Sequence, residues 1–296
     1  RELSAEERIA HHKNPQGIIE ARRPDGSIVQ IIEIKTAEGG TAVHFSDITG
    51  FKAVDKLKSE FISTVSHELR TPLTSIKGSL GMIGSGALND PNQITDMVEL
   101  AANNTERLIN LVNDLLDMEK LQSGSMKFNL EILDVKGLVE NSLALNKPFA
   151  DEHNIEFKLV KSPKSATVYG DPDRLAQVIS NLLSNAAKFS PSGETVKISI
   201  ERSKKTFRIN VFDKGPGIPK GFHDRIFGRF SQANSADNRE KGGTGLGLNI
   251  SKSIIEQHGG TIGFESEEGK GSKFYFDLPE RKSETKETRK LPSEGV

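Results

Sequence analysis

The sequence predicts an α+β multidomain chain: an antiparallel helical hairpin forming a dimeric four-helix bundle, followed by an α/β sandwich. Three observations predict it. Between residues 51 and 121, apolar side chains recur every three or four positions over two long stretches, the period of a helix with one buried face. From residue 126 to 278 the pattern alternates between helical and strand periods, which places helices on one face of a mixed sheet. One hairpin leaves much of its apolar stripe uncovered, and dimerisation covers it most simply.

The 296 residues suffice for two or three compact units. With 40 basic and 41 acidic residues the net charge is −1, so no basic excess recommends a nucleic-acid partner. No run of about 20 apolar residues is present to span a membrane, and there is no signal-peptide pattern. The chain begins at Arg1 and reads as a fragment, so any membrane attachment is expected only through a segment absent from it. The lack of cysteine excludes disulfides and thiolate metal sites and fits a cytoplasmic location.

Residues 1–50 read as short strands with turns at "RRPDGS" and "AEGGTA", the tail of a larger β-rich unit. Leu57, Phe61, Val65, Leu69, Leu73, Ile76, Leu80 and Ile83 then mark one helix over 51–86. Asp90 and Pro91 are the N-cap and first position of a second helix ending near Leu121. Beyond it the sequence predicts a strand near 126–132, a helix over 135–150, a strand over 155–160, and a helix over 172–189 opened by Asp171-Pro172. A strand hairpin (194–202 and 206–212), a helix over 246–257, and strands near 261–266 and 273–278 complete the series. The domains expected are 1–50, 51–123 and 124–280, with 281–296 a charged tail too poor in apolar side chains to fold.

Two regions carry chemistry. In "FISTVSHELRTPL", His67 falls opposite the stripe of Val65, Leu69, Leu73 and Ile76, so it should face solvent. An exposed histidine is most often plain surface. Here Glu68 is placed to take the proton of one ring nitrogen and leave the other nucleophilic. Pro72 cannot donate a helical bond to the Glu68 carbonyl, so the helix is expected to bend there.

The second region is phosphate-shaped. On the 172–189 helix, Asn181, Asn185 and Lys188 share a face opposite Leu175, Ile179, Leu182 and Ala186. That face reads either as solvated surface or as hard oxygen ligands for Mg²⁺ beside a phosphate-neutralising lysine. In "DKGPGIP", Gly215 and Gly217 let the backbone approach a ligand, and Asp213 is suited to accept a hydrogen bond from an exocyclic amine. "GGTGLGL" at 242–248 exposes consecutive amides at a helix start, an anion site. "RIFGRFSQANSADNREK" lies between them and reads as a lid anchored by Phe227 and Phe230. Each signal is weak alone; their one consistent order is hard to get by chance.

Across about residues 51–280 the chain resembles the sensor histidine kinases of two-component systems. "SHELRTPL" resembles the H box, "NLLSNAAKFS" the N box, "DKGPGIP" and "GGTGLGL" the two G boxes, and "IFGRF" the F box. Residues 17–50 are similar to the C-terminal part of a PAS sensor domain. The resemblance implies a HisKA-type dimerisation hairpin and a Bergerat-type (GHKL) ATP-binding domain. It implies that ATP phosphorylates His67, with Glu68 as general base, and that the phosphoryl passes to an aspartate of a response-regulator receiver domain. Thr71 is implied in a phosphatase reaction on that partner. Asn185 is implied as the Mg²⁺ ligand, supported by Asn181, with Lys188 toward the phosphates and Asp213 on the adenine amine. Gly215, Gly217, Phe227, Gly243, Thr244, Gly245, Leu246 and Gly247 are implied around the nucleotide. Some members carry an arginine two residues after the F box, where this chain has Gln232, so the γ-phosphate charge falls to Arg229, Arg239 or Lys241. The rival readings are a GHKL-type ATPase clamp, which would lack the upstream histidine hairpin, and a non-catalytic dimeric scaffold.

Overall fold

A computed structural model describes residues 5–14, 17–88, 90–231 and 244–281. The 282–296 tail, Gln232, Arg239, Lys241 and Gly243 lie outside the described residues. The chain divides into two units, Arg1–Ser75 and Ile76–Val296.

The first unit opens with helix α1 (Ala5–Lys13), where only strands were expected. Its sequence, AEERIAHHK, explains this: good helix formers lead, and His11, His12 and Lys13 occupy the last turn, where cations complement the helix dipole. Strands β1 (Ile18–Arg22), β2 (Ile28–Lys35) and β3 (Thr41–Asp47) follow as an antiparallel meander. Its first turn is tied by Asp25, whose Oδ1 accepts from Ser27 N–H at 2.9 Å and from Ser27 Oγ at 2.7 Å.

Helix α2 spans Thr49–Gly84, crosses the division between the units, and continues through Pro72. Helix α3 spans Pro91–Gln122, with Asp90 as its N-cap accepting from Asn92 N–H. These two long helices are the expected hairpin segment. Among the described residues no helix is long and apolar enough to cross a membrane.

The rest of the second unit is an α/β sandwich. It comprises β4 (Glu131–Asp134), α4 (Val135–Leu145), α5 (Lys147–Glu152), β5 (Glu156–Lys161), β6 (Thr167–Gly170) and α6 (Pro172–Phe189). Then come β7 (Thr195–Ser203), β8 (Thr206–Asp213), a 3-10 turn at Lys220–Arg225, α7 (Gly247–Gln257), β9 (Thr261–Glu267) and β10 (Gly271–Pro279). The main sheet has order β5-β7-β8-β10-β9, with β5 and β7 parallel and the other pairs antiparallel. Ile198, Ile200, Ile209, Val211 and Phe276 of the sheet are buried, as are Leu175, Ile179 and Leu182 of α6 and Ile250 and Ile254 of α7. The alternate strand positions carry ion pairs instead, Arg208–Asp277 and Lys273–Glu265 among them.

Three expectations shift. The strand near 126–132 begins only at Glu131, because the preceding backbone is used elsewhere: Met126 N–H bonds Lys120 O, and Asn129 N–H bonds the Asp171 carboxylate. The helix over 135–150 is two helices parted at Asn146, since Pro148 has no N–H to offer the Ala144 carbonyl. Strand β6 was not expected; it pairs with β4 in a separate two-stranded ladder.

Candidate active site

His67 stands on α2 with its side chain 76% exposed, as the helical wheel requires. Its Nδ1 lies 3.9 Å from Glu68 Oε1. That is ion-pair range but too long for a hydrogen bond, so the carboxylate is beside the ring without yet holding its proton. Thr71 donates its hydroxyl to the His67 carbonyl at 3.3 Å.

In the second unit, α6, α7 and the ends of β8 and β10 enclose a cavity of about 590 Å³. Asn181, Asn185, Lys188, Asp213, Gly217, Thr244, Gly245 and Gly247 all line it, so residues spread over 67 positions converge on one hollow. Asn185 donates its amide toward Asn181 Oδ1 at 3.5 Å and keeps a hard carbonyl oxygen for a cation. Asn181 is fixed in turn by its bond to Ser251 Oγ at 2.9 Å. Burial pushes the Lys188 ammonium below its usual range, and the nearby Arg107 charge pushes the same way. An anion entering the cavity relieves both effects.

Asp213 ends β8. Its Oδ1 accepts from Gly215 N–H at 2.9 Å and from Ser272 N–H at 3.1 Å. Burial nevertheless raises its carboxyl pKa, against the pull of those two donors. Gly217 adopts φ +72°, and a Cβ there would overlap the carbonyl oxygen of Glu267. At Gly247 a Cβ would overlap Asn181 Oδ1, so a side chain there would displace the Asn181 amide.

Three of the expected residues stand behind the cavity rather than on it. Gly215 acts through its bond to Asp213. Leu246 is fully buried and presents its N–H to Thr244 Oγ1 at 3.2 Å. Phe227 packs its ring on Phe264, with centroids 6.1 Å apart, and its carbonyl accepts from Asn249. Arg229 bonds the oxygen of the Gln122 amide, in the amide orientation that satisfies both groups, at 3.0 and 2.6 Å.

Two protein-family models match the chain: the His Kinase A (phospho-acceptor) domain over residues 57–124 and the histidine kinase-, DNA gyrase B-, and HSP90-like ATPase over 170–282. The sensor histidine kinase WalK of Bacillus subtilis is 38% identical over 236 residues, covering 79% of this chain and 38% of WalK. The chain belongs to the sensor histidine kinases. Among solved structures of such kinases, Acinetobacter baumannii AdeS is 29% identical with a TM-score of 0.58, covering 73% of this chain and 98% of that one. Full-length ShkA in complex with AMPPNP is 30% identical with a TM-score of 0.56, covering 76% of this chain and 46% of that one. The chain thus spans 38% of the length of WalK and 41% of SrrB of Staphylococcus aureus.

Sequence reasoning missed one wall of this histidine kinase's cavity. Asn103, Arg107, Asn110 and Asp114 of α3 line it. Their spacing of four, three and four was legible as a helical stripe. Nothing in the sequence told which partner that stripe would meet.

Proposed function

We propose that the chain is an ATP-dependent protein histidine kinase that phosphorylates His67 and passes the phosphoryl to an aspartate of a response-regulator receiver domain. The observation that carries this reading is the convergence of Asn185, Lys188 and Asp213 on one cavity in a chain that also offers an exposed His67 beside Glu68. Residues 51–123 serve as the dimerisation and phosphotransfer hairpin, 124–280 as the ATP-binding domain, and 1–50 as the end of a PAS-like sensor. The site acts in the cytoplasm, where ATP is available.

Asp213 selects adenine by accepting from its amine through Oδ2, because Oδ1 already takes two backbone donors. Thr244, Gly245 and Gly247 present amides and a hydroxyl to the phosphates, and Lys188 neutralises their charge. Asn185 would hold Mg²⁺, with water and phosphate completing the shell; the ion supplies charge neutralisation at the transferring group.

Glu68 faces Nδ1, so Nε2 is the nucleophile. As Nε2 bonds to the γ-phosphorus, the bond from phosphorus to the β-bridging oxygen breaks and ADP leaves with that electron pair. Glu68 takes up the Nδ1 proton. The receiver aspartate then displaces the imidazole, which recovers its proton. Thr71 assists the reverse task, orienting water against the phosphorylated partner. Ile62, Leu73, Leu80, Ile109, Val112 and Leu116 are exposed on the single chain, which supports a homodimer built on α2 and α3.

Incubation with γ-labelled ATP and Mg²⁺ should give an acid-labile, base-stable protein adduct that disappears in His67→Ala. Label that persists in the variant would falsify the assignment, and phosphate release without protein labelling would favour the ATPase clamp.

A further inference from the structure

Helix α3 does more than wall the cavity. Asp114 and Asp117, three residues apart, point from one side of α3 into the sandwich. Thr244 donates its hydroxyl to Asp114 Oδ2 at 2.6 Å. Asp117 accepts from Arg174 Nη1 at 3.2 Å and from Gln177 Nε2 at 2.8 Å. Arg174 also donates to Gln177 Oε1 at 3.0 Å, which ties the first turns of α6 into the same contact.

The two halves of this contact sit differently. Asp117 meets a guanidinium in a salt bridge and its attraction is independent of any ligand. Among the described residues Asp114 meets a hydroxyl and no cation, and it lines the same cavity as Lys188, Gly245 and Gly247. Burial drives its carboxyl pKa upward, with the Asp117 charge adding to the rise and the Thr244 bond opposing it. A carboxylate therefore stands at the glycine loop and helix start that are built to take phosphate, and it holds the loop's hydroxyl donor. A triphosphate in the cavity competes for that hydroxyl and repels that charge across a partly buried gap.

We propose that Asp114 and Asp117 form a two-carboxylate latch holding the nucleotide-binding fold on α3, and that triphosphate loading releases its Asp114 half. This rests on the nucleotide reading given above. Arg174 and Gln177 keep the Asp117 half closed, so the fold pivots at the start of α6 and stays tethered. By reciprocity, whatever the nucleotide does to the latch, the latch does to nucleotide affinity.

The test is calorimetry of AMPPNP with Mg²⁺ on the full chain and on Asp114→Asn, which keeps an acceptor for Thr244 and removes the charge. The variant should bind about 5- to 10-fold more tightly, at the low end of ordinary coupling between sites. In the wild-type chain, hydrogen exchange across 107–117 should quicken when AMPPNP and Mg²⁺ are added, a readout that needs no variant. Equal affinities, or exchange unmoved by bound nucleotide, overturn the latch while leaving the nucleotide site intact. Absence of binding by both proteins overturns the nucleotide reading and the latch with it.

Discussion

Asp213 has one oxygen committed to the backbone bonds from Gly215 and Ser272, and this fixes what each substitution can do. In Asp213→Asn the amide oxygen keeps both bonds and the amide nitrogen turns a donor toward the adenine amine. Nucleotide affinity should fall about 10- to 100-fold, the loss expected when a charge-assisted bond becomes a donor facing a donor. Stability at neutral pH should hold or rise, because a charge disfavoured by burial is gone; calorimetry and melting curves read the two effects separately. The pH dependence carries the same sign. Burial raises the carboxyls of Asp213 and Asp114 above their ordinary value of 3.8, so the folded chain binds their protons more tightly than the unfolded chain does. Their contribution favours folding below about pH 4 and is lost as pH rises through the raised values. The double variant Asp114→Asn, Asp213→Asn should therefore gain stability relative to wild type as pH climbs from 4 to 7. A constant difference across that range would show that the two carboxylates do not titrate differently on folding.

Among the elements, the ones that bury a full face were legible. Helix α6 matches its sequence prediction at both ends, because Asp171-Pro172 starts it and seven buried side chains mark its face. The β7–β8 hairpin was equally plain, since Val196, Ile198 and Ile200 alternate with polar neighbours. Short elements were not: β6 has four residues, too few to show a period, and its pairing with β4 is a tertiary choice. Residue types and order pointed to Asn185, Lys188 and Asp213, which line one cavity, while the Asp114–Thr244 bond joins positions 130 apart and leaves no local trace. Glycine identity can be read only with the fold in hand. Gly217→Ala should cost about 2–4 kcal/mol, since φ +72° and the Glu267 carbonyl both oppose a side chain there; a melting temperature close to wild type would count against the packing described. Pro72 lies inside α2 and has no N–H of its own to give to the preceding turn, five residues from His67. Pro72→Ala should raise thermal stability, by up to about 3 kcal/mol for an interior helix position, and shift the balance of kinase and phosphatase activity. An unchanged balance would remove Pro72 from the account.

At the scale of the molecule, α3 is asked to serve two surfaces at once. Its polar stripe, Asn103, Arg107, Asn110 and Asp114, faces the cavity proposed to take the nucleotide. Advancing two residues along a helix turns about 200°, so Val112 and Leu116 fall on the far side from Asn110 and Asp114. Ile109, Val112 and Leu116 are 50%, 42% and 51% exposed there, an apolar edge that the single chain leaves in water. Because the two stripes diverge, assembly through the apolar edge leaves the cavity wall untouched, and the two functions separate by mutation. Val112→Glu with Leu116→Glu should convert a dimer to a monomer in sedimentation equilibrium while AMPPNP affinity stays within about twofold, as expected for sites without shared partners. A wild-type chain that sediments as a monomer at tens of micromolar would overturn the bundle, and a large loss of nucleotide affinity in the variant would mean the two faces of α3 are not independent.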